Sequence, residues 1–506
     1  MAYFHGYGMF ETLEVGKRTS DKDFKKLGKA LREDLLMEQL DLAERDYPVI
    51  IVVSGVDGAG KGSLVQQVNE WMDPRWIETN TFWEHSDEEE SRPYFWRFWR
   101  SLPPKGRIGI FLGSWYTRPA QGAMAGDISN DEFATYCQHI ESFERLLTDD
   151  DALLIKLWLH ISHDTQRLRL QEASPLRRTS LRDADRPYEL TGTYNRTLEV
   201  SEQLILATDS SHSPWYLLEA EDGNYRDVTA GRLILEAMRS HSAQLDARRD
   251  TPKTKRSKRD DDQPTVLARV DLSLKLEQER YQSKLEQHHE QLRHLAWKAF
   301  HQRRSVVAVF EGWDAAGKGS AIRRVTRGID PRLFRLLQFA APTDEERAQH
   351  YLWRFWRRLQ RDGRFTLYDR SWYGRVLVER IEEFASDEQW QRAYSEINQF
   401  EQQLVEHGII LLKFWIHISK DEQAKRFKDR EKTPRKRHKL TEEDWRNRDK
   451  WRDYEIAVDQ MVSRTSTRHA PWTLIAGNDK PYARIQILET FCRTIENALE
   501  PPKADI

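Results

Sequence analysis

One spacing recurs along this sequence and limits what the chain can fold into. Seven short landmarks appear twice, and each second copy lies 257 positions after the first. Their first copies are Gly55, Lys61, DPR at 73, WRFW at 96, SWY at 114, HIS at 160 and PW at 214. Because chance matches do not keep one spacing across seven landmarks, the chain is a tandem duplication with almost no net insertion.

The duplication predicts how the 506 residues divide into domains. We expect an N-terminal domain at 1–245 and a C-terminal domain at 265–506. Residues 246–264 are rich in charge and poor in apolar side chains, so they cannot form a core and are interpreted as a linker. The alternative, a nucleic-acid patch, is disfavoured by the acidic run at 260–262.

The overall composition says little about partners. The 80 basic residues nearly balance the 82 acidic ones, so any partner must be inferred from local charge. Two cysteines, Cys137 and Cys492, make neither a disulfide framework nor a metal cluster, which favours a cytoplasmic location. The sequence begins without a secretory signal and contains no long apolar window. We therefore expect neither a membrane nor a nucleic acid as partner.

Both copies alternate apolar strands with helices. The runs at 48–55 and 305–312 end in glycine and are typical of a strand buried on both faces of a parallel sheet. Helices are expected to open at Gly60 and Gly317. Further strands are expected at 107–114, 153–162 and 214–220, with counterparts at 364–371, 410–419 and 471–477, and leading helices at 22–45 and 271–302. This order predicts two tandem three-layer α/β/α domains, each with a parallel sheet.

The second copy carries a glycine loop, defined here as residues 312–320. It departs from G-x-x-x-x-G-K-[ST], since Gly319 follows the lysine. Glycines let backbone N–H groups face an anion, the next helix adds its positive end, and Lys318 adds a charge. Asp314 is a candidate metal ligand in place of the missing hydroxyl. A plain glycine turn is disfavoured by the strand–loop–helix context. The other predicted phosphate-binding positions are Gly312, Ala315, Ala316, Gly317, Gly319 and Ser320.

Two further segments of the second copy point to phosphate chemistry. Asp369 ends a predicted strand, as does the second metal-binding carboxylate of phosphate-transfer sites, and Arg370 can bind phosphate through two hydrogen bonds. Residues 425–439 contain nine Lys or Arg and only two acids. Phosphotransferases carry a mobile lid after the third strand, and a lid this basic suits a substrate with many phosphates.

The first copy lacks part of this set. Leu112 and Gly113 stand where the second copy has Asp369 and Arg370, although Asp57, Lys61 and Arg118 are kept. Loss of an arginine that stabilises a transferred phosphate costs about 10³–10⁵ in rate. We therefore expect the C-terminal domain to catalyse and the N-terminal domain to have a structural or substrate-guiding role.

These motifs together resemble the polyphosphate kinase 2 family. The similar segments are GWDAAGKGS, YDRSWYGR, the basic lid and TSTRHAPW, and the two-copy length is similar to its fused subgroup, the polyphosphate:AMP phosphotransferases. The resemblance implies a P-loop kinase core with a helical lid. It also implies transfer of the terminal phosphate of inorganic polyphosphate to AMP, giving ADP, with Mg²⁺ or alternatively Mn²⁺.

The resemblance also assigns roles to residues. It implies that Asp314, Lys318, Asp369 and Arg370 are catalytic and that the two aspartates hold the metal. It further implies phosphate or nucleotide contacts from Tyr373, Arg375, Arg426, Arg430 and Lys436. Single-copy relatives are expected to pair, so the fused chain either mimics such a pair internally or itself forms a homo-oligomer.

Three other functions stay open at this point. The acceptor is alternatively ADP, giving ATP, because acceptor choice depends on a pocket shape that spacing does not reveal. An ATP-dependent nucleotide kinase would use the same core, although the basic lid and Asp314 argue against it. The third alternative, a non-enzymatic polyanion-binding protein, would not explain the presence of Asp369 and Arg370.

Overall fold

The computed structural model describes residues 8–82, 84–172, 190–249, 265–434 and 442–500. The chain divides into two compact units. The first comprises Met1–Glu84, Phe98–Lys255 and Ala348–His350, and the second comprises His85–Arg97, Arg256–Arg347 and Tyr351–Ile506. Most of the predicted linker lies outside the described residues, and residues 246–249 still belong to a helix. The predicted domain boundaries therefore stay a prediction.

Each repeat forms five strands, and corresponding strands keep the repeat spacing. The strands of the first repeat are β1 (Val49–Gly55), β2 (Ile77–Thr81), β3 (Ile108–Leu112), β4 (Leu153–His160) and β5 (Trp215–Glu219). Those of the second are β6 (Val306–Gly312), β7 (Phe334–Gln338), β8 (Phe365–Asp369), β9 (Ile410–His417) and β10 (Trp472–Ala476). The duplication inferred from the sequence is thus a duplication of structure.

Helices separate the strands in both repeats. Those before residue 250 are Asp21–Leu42, Lys61–Trp71, Asp87–Glu90, Trp96–Arg100, Thr117–Ala125, Asn130–Asp149, His163–Glu172, Leu190–Thr208 and Gly223–Arg249. Later ones are Gln278–His301, Lys318–Arg327, Asp344–Arg347, Trp353–Trp356, Val378–Ile381, Asp387–Glu406, Lys420–Lys432, Glu442–Asp449, Trp451–Thr465 and Lys480–Leu499. The helices predicted to open at Gly60 and Gly317 begin one residue later, with each glycine as the N-cap.

Both sheets are parallel and have equivalent strand orders, β2-β3-β1-β4-β5 and β10-β9-β6-β8-β7. The predicted α/β class is therefore confirmed. The edge strands β2 and β7 were not predicted. Most of their residues are exposed or half-buried, so they lack the continuous apolar run that marks a buried parallel strand.

The centre of the second sheet positions the site. Six of the seven residues of β6 are buried, and β6 lies between β8 and β9. Phe310 pairs with Asp369, and Gly312 pairs with Ile416. The carboxyl ends of these strands therefore meet where the strand order changes direction, which is where open α/β sheets bind ligands.

Both predicted leading helices are present, although the second begins at Gln278 and not at 271. Asp21–Leu42 packs against Gly223–Arg249, and Gln278–His301 packs against Lys480–Leu499. Each buries an apolar stripe at helical spacing, such as Leu285, Leu292 and Leu295 in the second repeat. None of the described helices combines the length and the apolar character needed to cross a bilayer.

Candidate active site

The glycine loop follows β6 and leads into the helix Lys318–Arg327. Gly312 has φ +150°, and a Cβ there would lie 2.6 Å from the carbonyl oxygen of Ile416. Gly317 is the N-cap with φ +115° and offers no side chain to the N–H groups of the first turn. Backbone donors at the positive end of a helix favour an anion, so the loop is built for phosphate.

The remaining loop positions have small side chains, and they differ in backbone conformation and in burial. Ala315 adopts φ +60°, a left-handed conformation that is uncommon for a residue with a side chain. Ala316 is buried, and a Cβ placed on Gly319 would meet no atom within 4 Å. The loop is therefore packed on its inner side and open at the first helical turn.

Lys318 folds back over the loop, and its Nζ donates a hydrogen bond to the carbonyl oxygen of Gly312. Ser320 donates its hydroxyl within the loop, over 3.0 Å. Arg484, in the last helix of the chain, brings its Nη2 within 3.5 Å of Ser320 Oγ. The loop is thus flanked by a second cation, Arg484, that the motif does not indicate.

Asp314 is held by contacts from three separate elements. Asn447 Nδ2 donates to Asp314 Oδ2 over 2.9 Å, and Arg370 Nη2 lies 4.0 Å from Asp314 Oδ1. Gln423 Nε2 donates to the Asp314 backbone oxygen over 3.1 Å. With 17% of its side chain exposed, the loop carboxylate is fixed in place yet reachable from solvent.

Asp369 and Arg370 come from the end of β8. Asp369 is in register with Phe310 of β6 and Gln338 of β7. Arg370 has φ +67°, a strained conformation of the kind that clusters at functional sites. Its guanidinium lies beside Asp314, and 47% of the side chain is exposed. The structure therefore brings the second predicted motif to the glycine loop.

Glu311 is a charged residue of this site that the motifs did not single out. It is 5% exposed, and its Oε1 accepts a hydrogen bond of 2.8 Å from Ser371 Oγ. Burial raises the pKa of Glu311, while the charges of Lys318 and Arg370 oppose the rise. A signal was present in the sequence, because the first repeat has Ser54 at the equivalent position.

Tyr373 lies away from the loop, which corrects its predicted contact with phosphate. Its ring is fully buried, and its hydroxyl donates to Glu401 Oε1 over 2.6 Å. Glu401 also pairs with Lys413 Nζ at 2.7 Å, and both side chains are 0% exposed. A hydroxyl bound to a buried ion pair is unable to reach a substrate, so Tyr373 belongs to the core.

Arg426 is also placed differently from its predicted role as a phosphate ligand. It is buried, and its guanidinium donates to the backbone oxygens of four residues, Ala315, Ala316, Gly477 and Asn478. A phosphate would have to displace these bonds to reach it. Arg426 therefore braces the back of the glycine loop.

The other basic residues predicted to contact substrate have mixed outcomes. Arg375 lies 4.4 Å above the ring of Tyr351, and its Nε lies 3.3 Å from Glu379 Oε2. Arg430 is partly exposed near the end of the helix that follows β9. Lys436 lies outside the described residues. The substrate contacts of these three residues stay predictions.

Asp314 and Asp369 are the carboxylates predicted to hold a divalent cation. In the described parts of the chain, no three or more His, Cys, Asp or Glu side chains form a metal-binding group. Mg²⁺ commonly uses one or two carboxylates and completes its shell with water and substrate phosphate oxygens. Two carboxylates beside a phosphate loop fit such a cation.

The first repeat keeps the loop but not the second motif. Lys61 Nζ donates to the carbonyl oxygen of Gly55 over 2.8 Å. Asp57 lies 3.6 Å from Lys61, and 56% of its side chain is exposed. Leu112 ends β3 and is followed by Gly113 with φ +77°. The backbone of the site is thus preserved where its carboxylate and arginine are missing.

Comparison with known proteins agrees with this geometry. A family model described as Polyphosphate kinase 2 (PPK2) matches the chain twice, at residues 18–246 and 275–503. A polyphosphate:AMP phosphotransferase of Pseudomonas aeruginosa is 46% identical and covers 98% of this chain and 100% of the relative. A protein of the same name from Acinetobacter johnsonii is 36% identical, over 90% of this chain and 95% of the relative.

A solved structure extends the similarity to the fold. A crystal structure described as a polyphosphate kinase 2 from Pseudomonas aeruginosa matches with a TM-score of 0.87 at 46% identity. The match covers 97% of this chain and 99% of the other. Family model, full-length relatives and fold agree over both repeats, and the chain therefore belongs to the polyphosphate kinase 2 family.

Proposed function

We propose that this protein is a polyphosphate:AMP phosphotransferase whose C-terminal repeat carries the reaction. It transfers the terminal phosphate of inorganic polyphosphate to AMP and releases ADP. The names of the full-length relatives support the substrates. The observation that carries the assignment to one repeat is the approach of Arg370 to the carboxylate of Asp314 at the glycine loop.

Each group has a task in this reaction. A phosphate oxygen of AMP attacks the terminal phosphorus of polyphosphate, and the bond to the bridging oxygen breaks. The loop N–H groups and Lys318 bind the donor phosphate, and Arg370 offsets the charge on the transferred group. Because such transfer needs little covalent chemistry from the protein, alignment and fixed charge carry most of the catalysis.

A divalent cation, Mg²⁺ in this proposal with Mn²⁺ as a substitute, would be held by Asp314 and Asp369 and would supply positive charge beside the phosphates. Glu311 is buried at the end of β6, where burial raises the pKa of its carboxyl and the charges of Lys318 and Arg370 oppose the rise. We also propose a cytoplasmic location, supported by the two cysteines, which are free and buried.

Matched substitutions in the two repeats test the assignment. Lys318→Ala and Arg370→Ala should each lower kcat by about 10³-fold or more. Lys61→Ala, the equivalent change in the first repeat, should leave most of the turnover. Steady-state ADP formation from AMP and polyphosphate measures all three. Equal losses in Lys61→Ala and Lys318→Ala would rule out a single catalytic repeat.

Product analysis tests the acceptor. With polyphosphate as donor, we expect AMP to be converted to ADP faster than ADP is converted to ATP at equal acceptor concentrations. Separation of the nucleotides by chromatography gives both rates. Faster formation of ATP from ADP would show that ADP, and not AMP, is the preferred acceptor. Activity only with ATP as donor would exclude a polyphosphate kinase.

A further inference from the structure

The carboxylate of Asp314 is contacted by a residue that follows the basic lid (residues 425–439) in the sequence. Asn447, in the helix Glu442–Asp449, donates its Nδ2 to Asp314 Oδ2 over 2.9 Å. Tyr454 in turn donates its hydroxyl to Asn447 Oδ1 over 3.2 Å. Since a hydroxyl on Oδ1 leaves the amide nitrogen to face the acid, Tyr454 sets the orientation of the Asn447 amide.

A stack of aromatic rings holds this pair against the loop. Trp451 lies parallel to Trp313, with ring centroids 3.7 Å apart and an angle of 5°. Tyr454 meets Trp313 at a steep angle, with centroids 6.2 Å apart. Trp313 directly precedes Asp314, so the stack fixes the segment that carries Asn447 relative to the carboxylate.

The first repeat keeps the fold of the loop but lacks the residues that contact the loop carboxylate in the second repeat. At the equivalent positions it has Leu190 for Asn447, Thr197 for Tyr454 and Val56 for Trp313. It keeps the backbone support of the loop, since Gln166 Nε2 donates to the Asp57 oxygen over 3.1 Å as Gln423 does in the second repeat. The asparagine and tyrosine are therefore missing from the repeat that also lacks Asp369 and Arg370, whereas the loop fold is kept.

We infer that Asn447 is a positioning residue that fixes the carboxylate of Asp314 for the cation, with Tyr454 acting through Asn447. The inference rests on the proposed function. By binding Oδ2, the amide stops the carboxylate from rotating and leaves Oδ1 on the side of Arg370. Partners that orient metal-binding carboxylates typically contribute about 10-fold or more in metal affinity.

Binding of Mn²⁺ to the full-length protein, without nucleotide or polyphosphate, tests this role. Electron paramagnetic resonance measures the Mn²⁺ site that is lost in Asp314→Asn. Asn447→Ala should weaken that site by about 10-fold, and Tyr454→Phe should weaken it less. In the double variant the effect of Tyr454→Phe should disappear, because residues that act through one another are not additive.

A matched control is available on the first repeat. Asn224 Nδ2 donates to Asp21 Oδ1 over 2.8 Å at an exposed position. Asn224→Ala removes an equivalent hydrogen bond and should leave Mn²⁺ affinity unchanged. Should Asn447→Ala unfold the protein, Asn447→Ser and Tyr454→Phe carry the test.

Three results would overturn the inference. These are unchanged Mn²⁺ affinity in Asn447→Ala, additive effects of the two substitutions, and absence of any Mn²⁺ site that depends on Asp314. None of them involves turnover. A failure of the proposed function, shown by the products or by Lys318→Ala, is therefore distinguishable from a failure of this inference.

Discussion

Trp313 links the loop carboxylate to a buried histidine. Its indole Nε1 donates to His417 Nδ1 over 3.0 Å, and His417 is itself 6% exposed. Burial lowers the pKa of His417 to about 4, with only partial opposition from Glu455. The neutral ring that results is the form able to accept the indole hydrogen bond.

His417 should make the stability of the protein depend on pH. Its folded pKa lies below the ordinary value, so the unfolded chain binds the proton more tightly, and stability falls as pH drops from about 6.5 toward 4. Relative to His417→Asn, the wild type should lose about 2 kcal/mol of unfolding free energy between about pH 7.5 and pH 5. Denaturant titrations followed by tryptophan fluorescence measure the difference. A difference that stays constant with pH would show that His417 titrates normally.

Residue types alone did not reveal which side chains face the substrate. Arg426 and Tyr373 belong to segments that are chemically suited to phosphate, yet both are buried with their polar atoms bound to the protein. Direction and burial depend on tertiary packing, which sequence spacing does not encode. Asp314, Lys318, Asp369 and Arg370 are predicted as site residues because strand–loop boundaries place them at one sheet edge.

In each repeat the helix after the fourth strand supports the loop after the first strand; it is Lys420–Lys432 after β9 and His163–Glu172 after β4. Arg426 bonds the loop oxygens of Ala315 and Ala316, and Arg169 Nη1 bonds the oxygen of Gly58 over 2.9 Å. The helix thus fixes the loop through backbone contacts that do not depend on the residues of the loop itself. Substitution of the equivalent arginine in each repeat can therefore distinguish an effect of this helix on folding from an effect on the reaction.

Arg426→Ala and Arg169→Ala form a matched pair for this purpose. Each leaves carbonyl oxygens of the loop without this donor, and we expect each to lower the unfolding free energy by about 1–3 kcal/mol. Only Arg426→Ala should also lower kcat, because we propose that only its loop carries the reaction. Thermal unfolding and ADP formation, both measured on the same preparations, separate the two effects. Full kcat in Arg426→Ala would show that the brace serves folding alone.

Elements were predictable where their patterns are strong. The buried strands β1 and β6 are continuous apolar runs, and both leading helices show apolar residues at helical spacing. The edge strands β2 and β7 were missed because most of their residues are exposed or half-buried, whereas the other edge strands, β5 and β10, keep more buried residues and were predicted. The helix that carries Asn447 has a weak apolar pattern and is recognisable only from its packing.

Across the whole molecule, the two repeats share a buried network that has no part in the chemistry. Lys156 pairs with Glu144 at 2.8 Å in the first repeat, as Lys413 pairs with Glu401 at 2.7 Å in the second. Removal of one partner of a buried ion pair is strongly destabilising, so the stability of each repeat depends on its copy of the pair. The network is therefore present also in the repeat that has Leu112 and Gly113 in place of Asp369 and Arg370.

The distribution of charge predicts that binding of polyphosphate depends on salt. The net charge is only −2, yet residues 425–439 contain nine Lys or Arg and only two acids. Polyphosphate is a dense line of negative charge, so its binding should release counterions and weaken steeply with salt, as it does for nucleic-acid phosphates. The KM for long polyphosphate should thus rise more steeply with KCl than the KM for AMP, and triphosphate should show a smaller slope. Equal slopes for the long polymer and AMP would mean that the cations of this segment do not contact the donor.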